Sequence, residues 1–171
     1  MLAWSDFVAH TGFGHVAHHL YTGLHKTGKY DLRVIGINYL GQSKPDYPFF
    51  IYPTDSRDRM GYNRFYEAIN DWGVNNIDVL FLFQDIWNMK FILNRIHDQQ
   101  SKMGFIDIVK QQNPNIKIVT YFPIDGEPFN DEWIKVLERA DLNITYTEFG
   151  KQTILNTLKQ YDKEIEIEVL P

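Results

Sequence analysis

The stretch at residues 116–150, IKIVTYFPIDGEPFNDEWIKVLERADLNITYTEFG, decides how the rest of the chain is read. Its apolar, β-branched opening at 116–122 has the composition of a buried strand. A polar turn follows at 123–127, then a helical pattern over 131–140, a strand over 142–146 and the start of another helix at Glu148. Strands and helices in such close alternation are the pattern of parallel strands joined by crossover helices. In an open parallel sheet, ligands bind in the crevice beyond the carboxyl ends of the strands. The turn at 123–127 lies at such an end, so the stretch supplies both a fold class and a place for a site.

The alternation extends in both directions. Residues 78–83 (DVLFLF) form a near-continuous apolar run, suited to a central strand buried on both faces. At the amino end, 2–4 read as a short strand ending at Ser5-Asp6. A helix is expected over 12–27, with Phe13, Val16, Ala17, Leu20 and Leu24 on one face and Gly28 placed to stop it. Residues 32–39 read as the second strand. Residues 41–58, with Pro45, Pro48 and Pro53, read as a loop holding a short strand around 49–52. Helices are expected over 61–72, 85–98 and 105–112. A helix over 148–161 leads to a last strand at 165–170, just before the final Pro171, where the chain looks cut. No repeat or low-complexity segment stands out. The expected fold is α/β, a Rossmann-like three-layer sandwich with a mainly parallel sheet, in a single domain over 1–171.

The totals narrow the function. A chain of 171 residues fits one domain, and 44% hydrophobic residues, with 15% aromatic, are ample for a core. A chain of this size buries roughly 70% of its unfolded surface. The formal charge of −5 argues against a broad electrostatic footprint for nucleic acid or anionic lipid. The absence of cysteine excludes disulfides and thiolate metal sites. The start, MLAWSDFVAHTG, lacks the basic and apolar regions of a secretory signal. No window approaches the run of about 18 apolar residues that spans a membrane. A soluble, cytoplasmic domain is expected.

Several residue groups are candidates for chemistry. Gly12-Phe13-Gly14-His15-Val16-Ala17 matches G-x-G-x-x-[GA], in which glycines let backbone N–H groups approach a phosphate at a helix start. The first glycine stands six residues beyond Asp6, and the second strand ends Ile37-Asn38-Tyr39-Leu40 with no carboxylate for a ribose. Both features favour an anion or sugar site at the helix start, or glycines serving only the turn, over a dinucleotide site. Histidines cluster at His10, His15, His18, His19 and His25, with His97 apart. His15 and His19 share a helical face, but no H-E-x-x-H pattern or third ligand accompanies them, so no metal site is expected. His15 is the histidine best placed to line a crevice.

Asp125, in Pro123-Ile124-Asp125-Gly126, is the candidate catalytic carboxylate: it could take sugar hydroxyls or a proton, or simply stabilise a turn. Gln84 and Asp85 close the strand at 78–83 in the same way, and Asp85 could instead cap the next helix. Thr147 reads as an N-cap, with Glu148 in the first helical turn, where the dipole favours it. No P-loop and no G-x-S-x-G elbow occurs.

SDFVAHTGFGHVAHHLYTGL, DVLFLFQD, YFPIDGEPFNDEW, RADLNITYTEFG and the closing EVLP, in that order and spacing, resemble the N-terminal half of family-4 glycosyltransferases. The resemblance spans almost the whole chain. It implies one half of a GT-B fold, the acceptor-side domain of an enzyme with two Rossmann-like domains facing across a cleft. The implied activity is transfer of a sugar from a nucleotide-sugar donor to a hydroxyl acceptor, with retention and without a metal or other cofactor. By that resemblance, Gly12, Phe13 and Gly14 lie near the transferring sugar and donor phosphates. By the same resemblance, Asp6, Gln84, Asp85, Asp125 and Glu148 line the substrate side, joined by His15 from the reading of the histidines. Many members carry a histidine where this chain has Pro-Ile-Asp-Gly. The E-x7-E pair of the family's donor domain does not occur, so the resemblance implies that the donor domain lies beyond Pro171 and that the chain alone is inactive. A non-catalytic carbohydrate- or partner-binding domain is the alternative expectation, with a nucleotide-dependent oxidoreductase third.

Overall fold

The structure is a computed structural model that describes residues 1–41, 46–96 and 103–171. Pro45, His97 and Asp98, which entered the expectations above, lie outside these residues. The architecture is α/β and Rossmann-like, with every described strand pairing parallel, as expected. The chain divides into two compact units, Met1–Phe83 and Gln84–Pro171.

In the first unit, strand β1 (Leu2–Ser5) is followed by helix α1 (Gly12–Lys26), strand β2 (Arg33–Gly36) and strand β3 (Phe50–Pro53). Helix α2 (Tyr62–Trp72) and a 3-10 turn (Val74–Asn76) then lead to strand β4 (Val79–Phe83). The strand order is β3-β2-β1-β4. β1 is therefore central, and all four of its residues are buried. The chain moves outward from β1 through β2 to β3 and then returns to β1's other side as β4. This reversal opens a crevice at the carboxyl ends of β1 and β4, the usual ligand position in such sheets.

Parity within the sheet assigns the layers. Ala3 pairs with Phe81, and Phe81 meets Tyr21 of α1 edge-on at 6.0 Å. Trp4 points to the other face, where its ring lies 5.9 Å from Tyr62 of α2. Alternate residues of a strand face opposite sides, so α1 and α2 cover opposite faces of the sheet. Trp4 is fully buried, and its indole N–H donates to the Met60 carbonyl at 2.6 Å, which ties β1 to the entry of α2. Each such buried side chain contributes about 1.5–3 kcal/mol through lost apolar exposure.

In the second unit, helix α3 (Ile86–Leu93) and helix α4 (Phe105–Gln112) precede strand β5 (Lys117–Phe122). A 3-10 turn (Asp131–Trp133) and helix α5 (Ile134–Leu137) lead to strand β6 (Leu142–Thr145), helix α6 (Glu148–Gln160) and strand β7 (Ile167–Val169). The strand order is β5-β6-β7. Register is fixed by polar groups. The Asp141 carboxylate accepts the Ile118 N–H at 2.8 Å, and the Asp141 N–H donates to the Ile118 carbonyl at 2.8 Å. Inside, the Thr120 hydroxyl donates to Asn143 Oδ1 at 2.7 Å, and Asn143 Nδ2 donates to the Leu137 carbonyl at 3.2 Å. The Tyr121 hydroxyl donates to the Leu170 carbonyl at 2.8 Å and holds the chain after β7.

Element positions follow the sequence reading, with shifts that have local causes. The second strand stops at Gly36 instead of 39 because Asn38 adopts φ 60° and gives its N–H to Arg59. The helix expected over 131–140 is a 3-10 turn plus one α-turn, its end taken up by the Asn143 amide. The helix expected over 85–98 ends at Leu93, and Ile96 then bridges Gly104 in antiparallel fashion. Gly28, at φ 65°, stops the first helix as expected. Among the described residues, no helix is long and apolar enough to cross a membrane.

Asn143→Ala strands the buried Thr120 hydroxyl and should cost about 1–3 kcal/mol in urea unfolding. Burial by itself raises the Asp141 pKa, but the Ile118 N–H, Lys110 and Lys117 outweigh it and hold the carboxyl below the usual range. With a folded pKa below the unfolded value near 4, Asp141 stabilises fully above that value, and the contribution is lost as pH falls through the folded pKa. Asp141→Asn should therefore lower stability at neutral pH and flatten the acid limb of a urea-unfolding series run down to about pH 2.

Candidate functional site

The carboxyl end of β1 passes into α1 through a tight loop at 6–11. The Ala9 N–H donates to the Asp6 carbonyl at 2.9 Å and the Thr11 N–H to the Ala9 carbonyl at 2.9 Å. Thr11 is the N-cap of α1, its hydroxyl accepting the Gly14 N–H at 2.9 Å. Gly14 is buried under this loop: a Cβ there would lie 2.0 Å from the Ala9 oxygen and 2.8 Å from the Asp6 oxygen. Only a glycine lets the loop close onto the helix. Gly12 differs, since a Cβ there would meet nothing within 4 Å.

The free helix start is the electrostatic feature of the site. Among the described residues, nothing accepts the Gly12 and Phe13 N–H groups, and the first turn holds no acidic residue. A helix N-terminus carries about half a positive charge, which suits an anion. The Phe13 ring packs edge-on against Phe83 at the end of β4, at 5.4 Å. A cavity of about 380 Å³ opens beside the loop, lined by Phe7, His10, Thr11, His15, His18 and Tyr47 among others. The His15 and His19 rings lie 4.7 Å apart, and His18 stacks on Phe7 at 5.7 Å. Among the described residues, no group of three or more His, Asp or Glu side chains could hold a metal ion.

Asp6 sits beneath this cavity rather than in it. It is buried, and its carboxylate accepts the Thr11 hydroxyl and the Asn38 side-chain amide, each at 3.4 Å. Its geometry is that of a brace for the loop. Of the residues marked in the sequence, Gly14 and His15 line this cavity, and Gly12 and Phe13 stand in the same first turn of α1 without lining it. Farther along α1, burial pushes the Tyr21 phenol well above its usual pKa, with the Ser5 hydroxyl acting in the opposite sense, so Tyr21 stays neutral inside the core.

In the second unit, Gln84 is buried, and its side-chain oxygen accepts the Asp85 N–H at 2.9 Å. Asp85 occupies the N-cap position of α3, but its carboxylate makes no capping bond; its carbonyl accepts the Asn88 and Met89 N–H groups. Asp125 is exposed, and its side chain has no hydrogen bond or ion pair among the described residues, so it braces no turn. Its neighbour Ile124 is buried against Gly150, where a Cβ would lie 3.1 Å from Ile124 Cβ and 2.7 Å from Thr145 Oγ1. Thr147 caps α6, accepting the Gly150 N–H at 3.0 Å, and Glu148 is exposed in the first turn. Ile124, the neighbour of Asp125, is thereby packed against the start of the helix that carries Glu148.

The two helix starts share a sequence pattern, Thr11-Gly12-Phe13-Gly14 and Thr147-Glu148-Phe149-Gly150. In each, the threonine caps the glycine and the glycine is buried against a strand end. They differ at the second residue: Gly12 leaves the α1 dipole open to an outside anion, and Glu148 supplies α6 with its own negative charge. Other residues missed were Thr11, legible as a capping threonine before glycine, and Tyr47, which no local signal marks.

No model of a known protein family matches this chain, and comparison with curated proteins gives no match.

The two glycines should separate in mutation. Gly14→Ala drives a methyl into two carbonyls and should cost about 1–3 kcal/mol or more by denaturant unfolding. Gly12→Ala should leave stability unchanged or raise it by up to about 1 kcal/mol.

Proposed function

We propose that this chain is the N-terminal, acceptor-side domain of a retaining glycosyltransferase with a GT-B fold. The whole enzyme would transfer a sugar from a nucleotide-sugar donor to a hydroxyl acceptor, and this domain alone would be inactive. Nucleotide-sugar chemistry makes the cytoplasm the consistent setting. The supporting observation is the α1 start after β1, where nothing among the described residues accepts the Gly12 and Phe13 N–H groups, Gly12 is unobstructed, and the next two residues, Gly14 and His15, line a cavity that also carries His10 and His18. Such a start can stabilise the charge that develops on a departing diphosphate without reorganising at the moment of reaction.

The carboxylates divide by environment. Asp6 is committed to the loop, which leaves it a positioning role. Asp125 is exposed and has no partner among the described residues, so it can accept hydrogen bonds from a sugar or acceptor hydroxyl, and Glu148 is likewise exposed in the first turn of α6. Neutral polyols suit that pair of carboxylates, and anions suit the α1 start. This division agrees with acceptor recognition through Asp125 and Glu148 and donor-phosphate contact through Gly12 and Phe13.

The test is an assay of protein carrying the sequence that follows Pro171, beside the 171-residue chain, against a panel of nucleotide sugars. Transfer or donor hydrolysis is expected only in the longer protein, is lost in Asp125→Ala, and falls in Gly12→Ala with folding intact. Turnover by the 171-residue chain alone would overturn the reading, and so would activity in the longer protein that Asp125→Ala leaves unchanged.

A further inference from the structure

At the amino ends of β2 and β3, opposite the crevice just described, the first unit holds a cavity of about 580 Å³. We infer that it is a second ligand site, which binds a neutral glycan by stacking sugar rings on Tyr30 and Phe50 and hydrogen-bonding their hydroxyls. Tyr30 and Phe50 line the cavity with 40% and 56% of their surface exposed, an unusual outlay of aromatic area beside one opening. Phe50 stands edge-on to Tyr52 at 4.7 Å, which fixes its ring and reduces the entropy lost on binding.

The polar groups select the ligand class. Arg33 is held from two sides, its guanidinium stacked 4.3 Å from the Trp72 ring and its Nη1 donating to the Tyr52 hydroxyl at 3.2 Å. A fixed cation in the wall disfavours an organic cation as ligand, although aromatic rings alone would attract one. Asp31 and Asp71 line the same wall and disfavour an anion. The helix direction adds to this, since α1 and α2 both turn their carboxyl ends, with partial negative charge, toward this end of the sheet. Asp71 also has Arg64 3.9 Å away, so charge of both signs is already present. A ligand with many hydroxyls, no net charge and an apolar face meets all of these conditions. The carboxylates accept from hydroxyls, Arg33 donates to them, and the aromatic rings take the C–H face. The arrangement of a few oriented polar groups among rings is the general form of a small-molecule site.

The site does not depend on the transferase reading and is scored on binding by the 171-residue chain, with no turnover required. The reporter is the Trp72 indole N–H in two-dimensional NMR, beneath the Arg33 guanidinium. The probes are maltohexaose, cellohexaose and chitohexaose, with tetramethylammonium and inorganic phosphate as charged controls. A saturable Trp72 shift is expected with at least one hexasaccharide at millimolar concentration. Phe50→Ala and Asp71→Asn should each weaken it about tenfold, with the far-ultraviolet circular dichroism unchanged. The inference is overturned if none of the three hexasaccharides shifts Trp72 saturably, if both variants bind as the parent does, or if either charged control gives the saturable shift instead.

Discussion

The contact between the Ala9 carbonyl and Gly14 governs the first unit's crevice. With the oxygen only 2.0 Å from where a Cβ would stand, the loop after β1 is pressed onto the first turn of α1. Every feature of the crevice depends on that closure. Thr11 reaches the Gly14 N–H only from the folded-back loop, and Asp6 braces the loop against Asn38 from below. The helix axis is then fixed relative to β1, and the Gly12 and Phe13 N–H groups point outward. A bond network of this kind adds only about 1 kcal/mol per link. Its larger effect is to hold the donors in place before any ligand arrives.

The second unit repeats the device with a different charge. Gly150 is packed against Thr145 and Ile124 as Gly14 is packed against Ala9 and Asp6. Thr147 caps as Thr11 caps. One backbone solution thus serves two helix starts, and a single side chain at the second position decides which partners each can take. The α6 start carries one carboxylate in its first turn and the α1 start carries none.

The alternation of strands and helices was legible because the apolar runs are short and strongly periodic, and residues 78–83 and 116–122 lie within one residue of their observed strands. What the chain hid were the effects of distant partners. The left-handed Asn38 shortens β2 through a bond to Arg59, and the Asn143 amide ends α5, neither visible in a local window. The site was partly legible: glycines and a capping threonine announce a helix start. That Asp6 is a brace, and that Asp125 has no partner among the described residues, depends on which way each carboxylate turns, and that is set by residues far along the chain. The aromatic cavity at the amino ends was hidden for the same reason, since Tyr30, Phe50 and Asp71 come from three separate segments.

Two aromatic hydrogen bonds set how each unit must fold. Trp4 reaches Met60 across 56 residues, and Tyr121 reaches Leu170 across 49. Each joins an inner strand to a late-arriving part of its own unit, so the polar atom of a large buried ring stays unpaired until that segment docks. Loop-closure entropy must be spent before these contacts repay it. Partial structures that stop short of Met60 or Leu170 therefore lack that hydrogen bond, and the polar atom of the ring must keep its water instead. On a ribosome releasing the chain, the innermost ring of each unit would dry out only after the closing segment emerged, so these two bonds are among the last to form.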